Sequence, residues 1–137
     1  MAISGLAATL ALGTQPASAT AWVVGVASGT SGEAQARGAP STPSGVTSTC
    51  TSAVATTVRV SWNAATNATS YSVYSSTTSS SSGYSLYASG VSATSYTTGS
   101  LATGTYWFEV AAYTGTNWAS SNSAATAART IAVAVCT

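Results

Sequence analysis

Five side chains carry all the formal charge of this 137-residue chain: Glu33, Glu109, Arg37, Arg59 and Arg129, with no Asp, Lys or His anywhere. A Ser or Thr nucleophile needs a base beside it, and a chain without His or Lys has none to offer, however many hydroxyls it carries. Paired-carboxylate chemistry would require Glu33 and Glu109 to meet, although one sits in a Gly/Ser stretch and the other in an apolar run. No His/Cys/Asp/Glu cluster with metal-ligand spacing is present, and no phosphate-cradling motif, so neither metal nor cofactor is expected. The net charge of +1 gives counterion release almost nothing to work with, which sets nucleic acid aside. The inventory points away from an enzyme and toward a structural or binding module.

Two further residue types could act. Cys50 and Cys136 form an even pair without a CxxC or a His partner. In a Ser/Thr-rich, Lys-free chain that pair suits a disulfide in an oxidising compartment, the alternative being two buried free thiols. Flat aromatic rings can stack on sugar faces, and Tyr74, Tyr87, Trp107 and Trp118 are the candidates, Trp118 because TGTNW reads as a hairpin loop. The competing role for outward aromatics is cross-strand packing.

The elements that must position these residues are short. Residues 1–19 begin with the apolar run MAISGLAATLAL and end at Ala17-Ser18-Ala19, the hydrophobic part and cleavage site of an export signal. The run is too short to span a bilayer, so contact with the membrane is expected only in transit. No Lys or Arg precedes it, which leaves open an upstream start or a retained segment. Residues 20–43 are an extended strand plus a Gly/Ser/Pro linker, with Trp22, Val24 and Val26 on one face of the strand. Arg37-Gly38-Ala39 is not an RGD triplet.

From residue 44 to 137 the pattern is all-β: seven β-type runs at intervals of roughly ten residues, with turn residues between them. The runs are 46–50, 57–63, 70–75, 84–89, 95–98, 105–114 and 130–136. Alternation places Val58, Val60, Trp62, Tyr71, Val73, Tyr106, Phe108, Val110 and Ala112 inside, with Trp107 and Glu109 outside. Ile131, Val133 and Val135 are expected to close the core from the last strand. The serine-rich piece 75–83 reads as a mobile loop, and Asn67-Ala68-Thr69 as a chance-level glycosylation sequon in a turn.

The segments VRVSWNAATNATSYSVY (58–74) and SGVSATSYTTGSLATGTYWFEVAAY (89–113) resemble a bacterial, actinobacterial-like fibronectin type III domain. Trp62 matches the family's second-strand Trp, Tyr71 and Val73 its third-strand pair, and Leu101, Gly104, Tyr106, Phe108 and Val110 its sixth-strand signature. The resemblance implies a seven-stranded immunoglobulin-like sandwich with an N-terminal extension. The turn from Leu101 to Tyr106 is one residue shorter than the family's, which leaves the tyrosine corner open. In that topology the ends of the first and seventh strands share a pole, where Cys50 and Cys136 fall. The N-terminal part is similar to secreted surface-fibre proteins of the TasA and camelysin group, which implies donation of an N-terminal strand to a neighbouring subunit.

Two functions follow as expectations. One is a secreted cell-surface filament subunit, a homo-oligomer or polymer joined by donation of residues 20–28. The other is a monomeric extracellular spacer or carbohydrate-binding module whose aromatics hold cell-wall or extracellular polysaccharide.

Overall fold

The computed structural model describes residues 38–133 and 135–137, and these form two β-sheets with no helix. The strands in chain order are β1 (Thr47–Cys50), β2 (Val58–Ser61), β3 (Ser70–Ser76), β4 (Ser85–Val91), β5 (Ser95–Thr97), β6 (Gly104–Thr114), β7 (Trp118–Ala119), β8 (Arg129–Ala132) and β9 (Val135–Cys136). The smaller sheet has the order β1-β2-β5 and the larger the order β4-β3-β6-β8-β9, with β7 paired to the far end of β6.

Alternation sets the core between the sheets. Val58, Val60 and Trp62 meet Tyr71, Val73, Phe108, Val110, Ala112 and Ile131, all buried. Trp62 packs edge-on to Tyr71 with ring centroids 5.3 Å apart, and the Tyr71 hydroxyl accepts the Ala65 N–H at 3.0 Å. The Trp62 indole N–H is buried without a hydrogen-bond partner. Tyr106 donates its hydroxyl to the Ala102 carbonyl at 3.1 Å, so a tyrosine corner forms despite the shortened turn.

Hydroxyls close an edge that a strand would otherwise occupy. Between its contacts with β7 and β8, β6 is lined by residues 120–126, where Ser120, Ser123 and Thr126 face Ala112, Val110 and Phe108. Each of the three donates its backbone N–H to the facing carbonyl and accepts the facing N–H on its side-chain oxygen, all at 2.9–3.1 Å. Thr98 does the same for Val58. One residue thereby performs both halves of an antiparallel exchange, and no buried β6 amide in the row is left unpaired.

Four expectations need correction. The run 130–136 is not one core strand: the chain reverses between Ala132 and Val135, with β8 and β9 pairing as Ile131↔Cys136 and Ala132↔Val135. Of the three apolar residues assigned inward, Ile131 is buried, whereas Val133 is 88% and Val135 42% exposed. Cys136 takes the inward place, since the reversal carries it back to Cys50. The strand count is nine because this hairpin and the two-residue β7 were read as one strand and a loop. Lastly, the serine-rich segment is tied down. Ser76 closes β3 with a buried hydroxyl that donates to the Ser82 carbonyl at 2.6 Å and accepts the amides of Thr78 and Ser79.

Candidate functional site

The outer face of the larger sheet brings aromatic residues together. On β6 the outward positions are Trp107, Glu109, Ala111 and Tyr113, which pair across β3 with Ser76, Tyr74, Ser72 and Ser70. On the other side of β3, Tyr74 pairs with Leu86 of β4, so Leu86, Tyr74 and Glu109 form one cross-strand row. Tyr84, just before β4, shares the parity of Leu86, and its hydroxyl donates to the Ser80 carbonyl at 3.3 Å. Small residues sit between the large ones: Ser76, 2% exposed, is closed over by the serine-rich segment, and Ser72 and Ala111 point outward yet are only 5% and 1% exposed. Side chains that cover them must lie across the sheet rather than stand away from it. The hydroxyls of Tyr74 and Tyr113 meet at 3.0 Å across the Ser72/Ala111 pair, as that requires.

Electrostatics on this face come from one carboxylate. Glu109 accepts a hydrogen bond from Asn122 Nδ2 at 2.9 Å, which fixes its orientation. The Tyr113 hydrogen bond holds the Tyr74 phenol above its ordinary pKa, with burial and the charge of Tyr113 adding to it. Burial also raises the Tyr84 phenol, and the negative charge of Glu109 raises it further. The two described arginines are elsewhere. Arg59 lies on the outer face of the smaller sheet, bonded to Ser95 Oγ, and Arg129 donates to the Ser48 carbonyl between the sheets. The smaller sheet's outer face has no ring at all: its rows are Thr49, Arg59, Thr97 and Thr47, Ser61, Ser95.

Of the four aromatics singled out from the sequence, the structure gathers two. Tyr74 and Trp107 share the outer face. Tyr87 does not: it packs against the core and meets Tyr96 of the opposite sheet at 6.2 Å. Alternation turns it inward, one residue on from outward Leu86, so it is corrected from ligand candidate to a residue packed against the core. Trp118, 44% exposed in β7, pairs with Thr114, which shares parity with buried Ala112, so it is on the other side of the sheet from Trp107. Tyr84, Leu86, Tyr113 and Asn122 were missed. Their parity was readable, but which strands lie side by side was not. Trp22, Val24 and Val26 lie outside the described residues.

Cys50 and Cys136 are joined, with Cα atoms 5.7 Å apart, and the bond links the smaller sheet to the larger across 86 residues. At the opposite flank β4 is an open edge among the described residues, where it pairs with β3 alone.

No protein-family model matches the sequence, and no curated protein does. Among solved structures, an Fn3-like protein from Clostridium thermocellum is 32% identical, superposes with a TM-score of 0.56, and is matched over 66% of this chain and 90% of its own. This chain belongs to the fibronectin type III family. A mutant of the domain named FN3tt (21% identical, 68% and 97% covered, TM-score 0.54) and a structure of titin kinase with its flanking domains (22%, 66% and 17%, 0.55) have the same fold. In this fibronectin type III domain the disulfide ties the smaller sheet to the larger.

Proposed function

We propose that the chain is an exported, non-catalytic structural protein that assembles copy to copy, residues 20–28 of one molecule adding as a strand to β4 of the next. The observation that carries this reading is the edge itself. β4 offers seven residues, Ser85–Val91, without a charge or a proline, so among the usual edge defences only its irregular register is present. An extended segment with Trp22, Val24 and Val26 on one side supplies backbone for pairing and apolar side chains for anchoring. A surface with so few charges adds little repulsion between copies. The Cys50–Cys136 bond supports an oxidising, extracellular destination.

Deleting residues 20–28 tests it. The expected result is a folded monomer by circular dichroism and sedimentation, where the full chain forms polymers visible by electron microscopy. Polymers from the truncated protein would discard strand donation. A second reading, a monomeric spacer that holds a partner on its surface, is favoured by the aromatic outer face of the larger sheet.

A further inference from the structure

We infer that the outer face of the β4-β3-β6 sheet binds a neutral, extended glycan. The inference is independent of how copies assemble, since the face and the β4 edge are different surfaces.

Shape comes first. Trp107 and Tyr113 lie six residues apart on one strand, a span of about 20 Å at the rise of an antiparallel strand. Tyr74 and Leu86 widen the row across β3 to β4, and the near-complete burial of Ser72 and Ala111 shows that side chains lie across this surface. A surface of that kind suits a chain of rings laid along it better than a small molecule held end-on. The negative faces of aromatic rings attract the C–H-rich faces of pyranoses, while the phenol oxygens of Tyr74 and Tyr113, bonded to one another, keep lone pairs that sugar hydroxyls can bond.

Charge then narrows the ligand. Glu109 stands in the middle of the row, its carboxylate steadied by Asn122, and offers an acceptor to hydroxyl groups. Among the described residues no cationic side chain shares the face, as Arg59 and Arg129 are engaged elsewhere. A uronate- or phosphate-bearing polymer would meet an unneutralised carboxylate, which costs affinity; a neutral polymer would not. The smaller sheet acts as an internal contrast. It presents Thr, Ser and Arg59 in place of rings, which water satisfies already.

The test uses the full chain with insoluble cellulose, xylan and chitin as neutral probes and polygalacturonate as the anionic one. Depletion from solution measures binding, and intrinsic tryptophan fluorescence with soluble fragments reports contact at Trp107. Retention on at least one neutral polymer with none on polygalacturonate is expected. Trp107→Ala should weaken it on the order of tenfold, the loss typical of a central aromatic anchor. Leu86→Glu guards against a folding artefact, because Leu86 is 58% exposed and a charge there leaves the core untouched while obstructing the row. It should weaken binding too, whereas Trp118→Ala should not. Glu109→Gln should narrow the gap between neutral and anionic polymers. No retention on any neutral polymer overturns the inference, as does binding by Trp107→Ala and Leu86→Glu equal to that of the parent. Loss of self-association in those variants, with no glycan retained, would assign the face to a second copy of the chain and equally overturn it.

Discussion

Ser123 stands in for a strand residue while belonging to none. Its N–H goes to the Val110 carbonyl at 2.9 Å, its Oγ accepts the Val110 N–H at 3.0 Å, and the hydroxyl proton goes on to the Ala124 carbonyl. Substituting Ser123→Ala leaves the Val110 N–H buried with nothing to accept it, and an unmade bond of that kind costs about 1–3 kcal/mol. Urea unfolding should show that loss, while Ser121→Ala, an exposed neighbour whose carbonyl alone takes part, should stay within about 0.5 kcal/mol of the parent. An equal effect at both positions would mean that the row of hydroxyls is decorative. The abundance of Ser and Thr was plain in the sequence. Its use here was not legible: hydroxyls recur every third residue along 120–126 but meet every second residue of β6, and that mismatch has a meaning only when the two segments are side by side. Trp62 was legible in a different way. Its place in the alternating run assigned it to the core, but nothing in the spacing says that its indole N–H goes unpaired.

Among the elements, β2, β3 and β6 were readable because each keeps a period of two that sends its core residues, such as Val60, Val73 and Val110, to one side. β8 and β9 were not, and the reason is local. IAVAV alternates as a buried strand does, so Val133 and Val135 looked equivalent to Ile131. The chain reverses instead, and paired backbone bonds between Thr130 and Thr137 at 2.9 and 3.0 Å secure the hairpin. The two arrangements differ measurably. Ile131→Ala should cost about 2–5 kcal/mol, as truncation of a buried aliphatic side chain does, whereas Val133→Ser should fall within about 0.5 kcal/mol of the parent. Denaturant midpoints of the two variants decide it, and a large loss at Val133 would restore the single core strand. The candidate face shows the same boundary between the legible and the hidden. Outward parity of Trp107 and Tyr74 followed from their strands, but which parity of β4 faces outward is fixed only by the pairing of Tyr74 with Leu86, which turns the adjacent Tyr87 inward.

For the molecule as a whole, the scarcity of charge moves pH sensitivity to the alkaline side. The phenols of Tyr74 and Tyr84 titrate above their ordinary value in the folded chain, so unfolded molecules lose those protons first as pH rises. Their contribution is complete below pH about 10, the unperturbed tyrosine value, and fades as pH climbs through the raised folded values. Melting temperature should therefore fall above that pH, and the double variant Tyr74→Phe, Tyr84→Phe should flatten the fall; an unchanged slope would detach these phenols from stability. The disulfide acts on the same balance from the unfolded side. Closing a loop of 86 residues removes unfolded conformations that the folded sandwich never visits, a stabilisation of about 4–5 kcal/mol on the chain-entropy model, with about 2–5 kcal/mol typical when a native bond is removed. Replacing Cys50 and Cys136 together by Ala should lower the guanidinium midpoint accordingly. It should also steepen the dependence on denaturant, because an uncrosslinked chain exposes more surface when it unfolds. A lowered midpoint with an unchanged slope would place the effect in the folded state, in the packing of Cys136 beside Ile131. A rise in slope would identify the bond as a tether that limits how far the two ends of the sandwich can part.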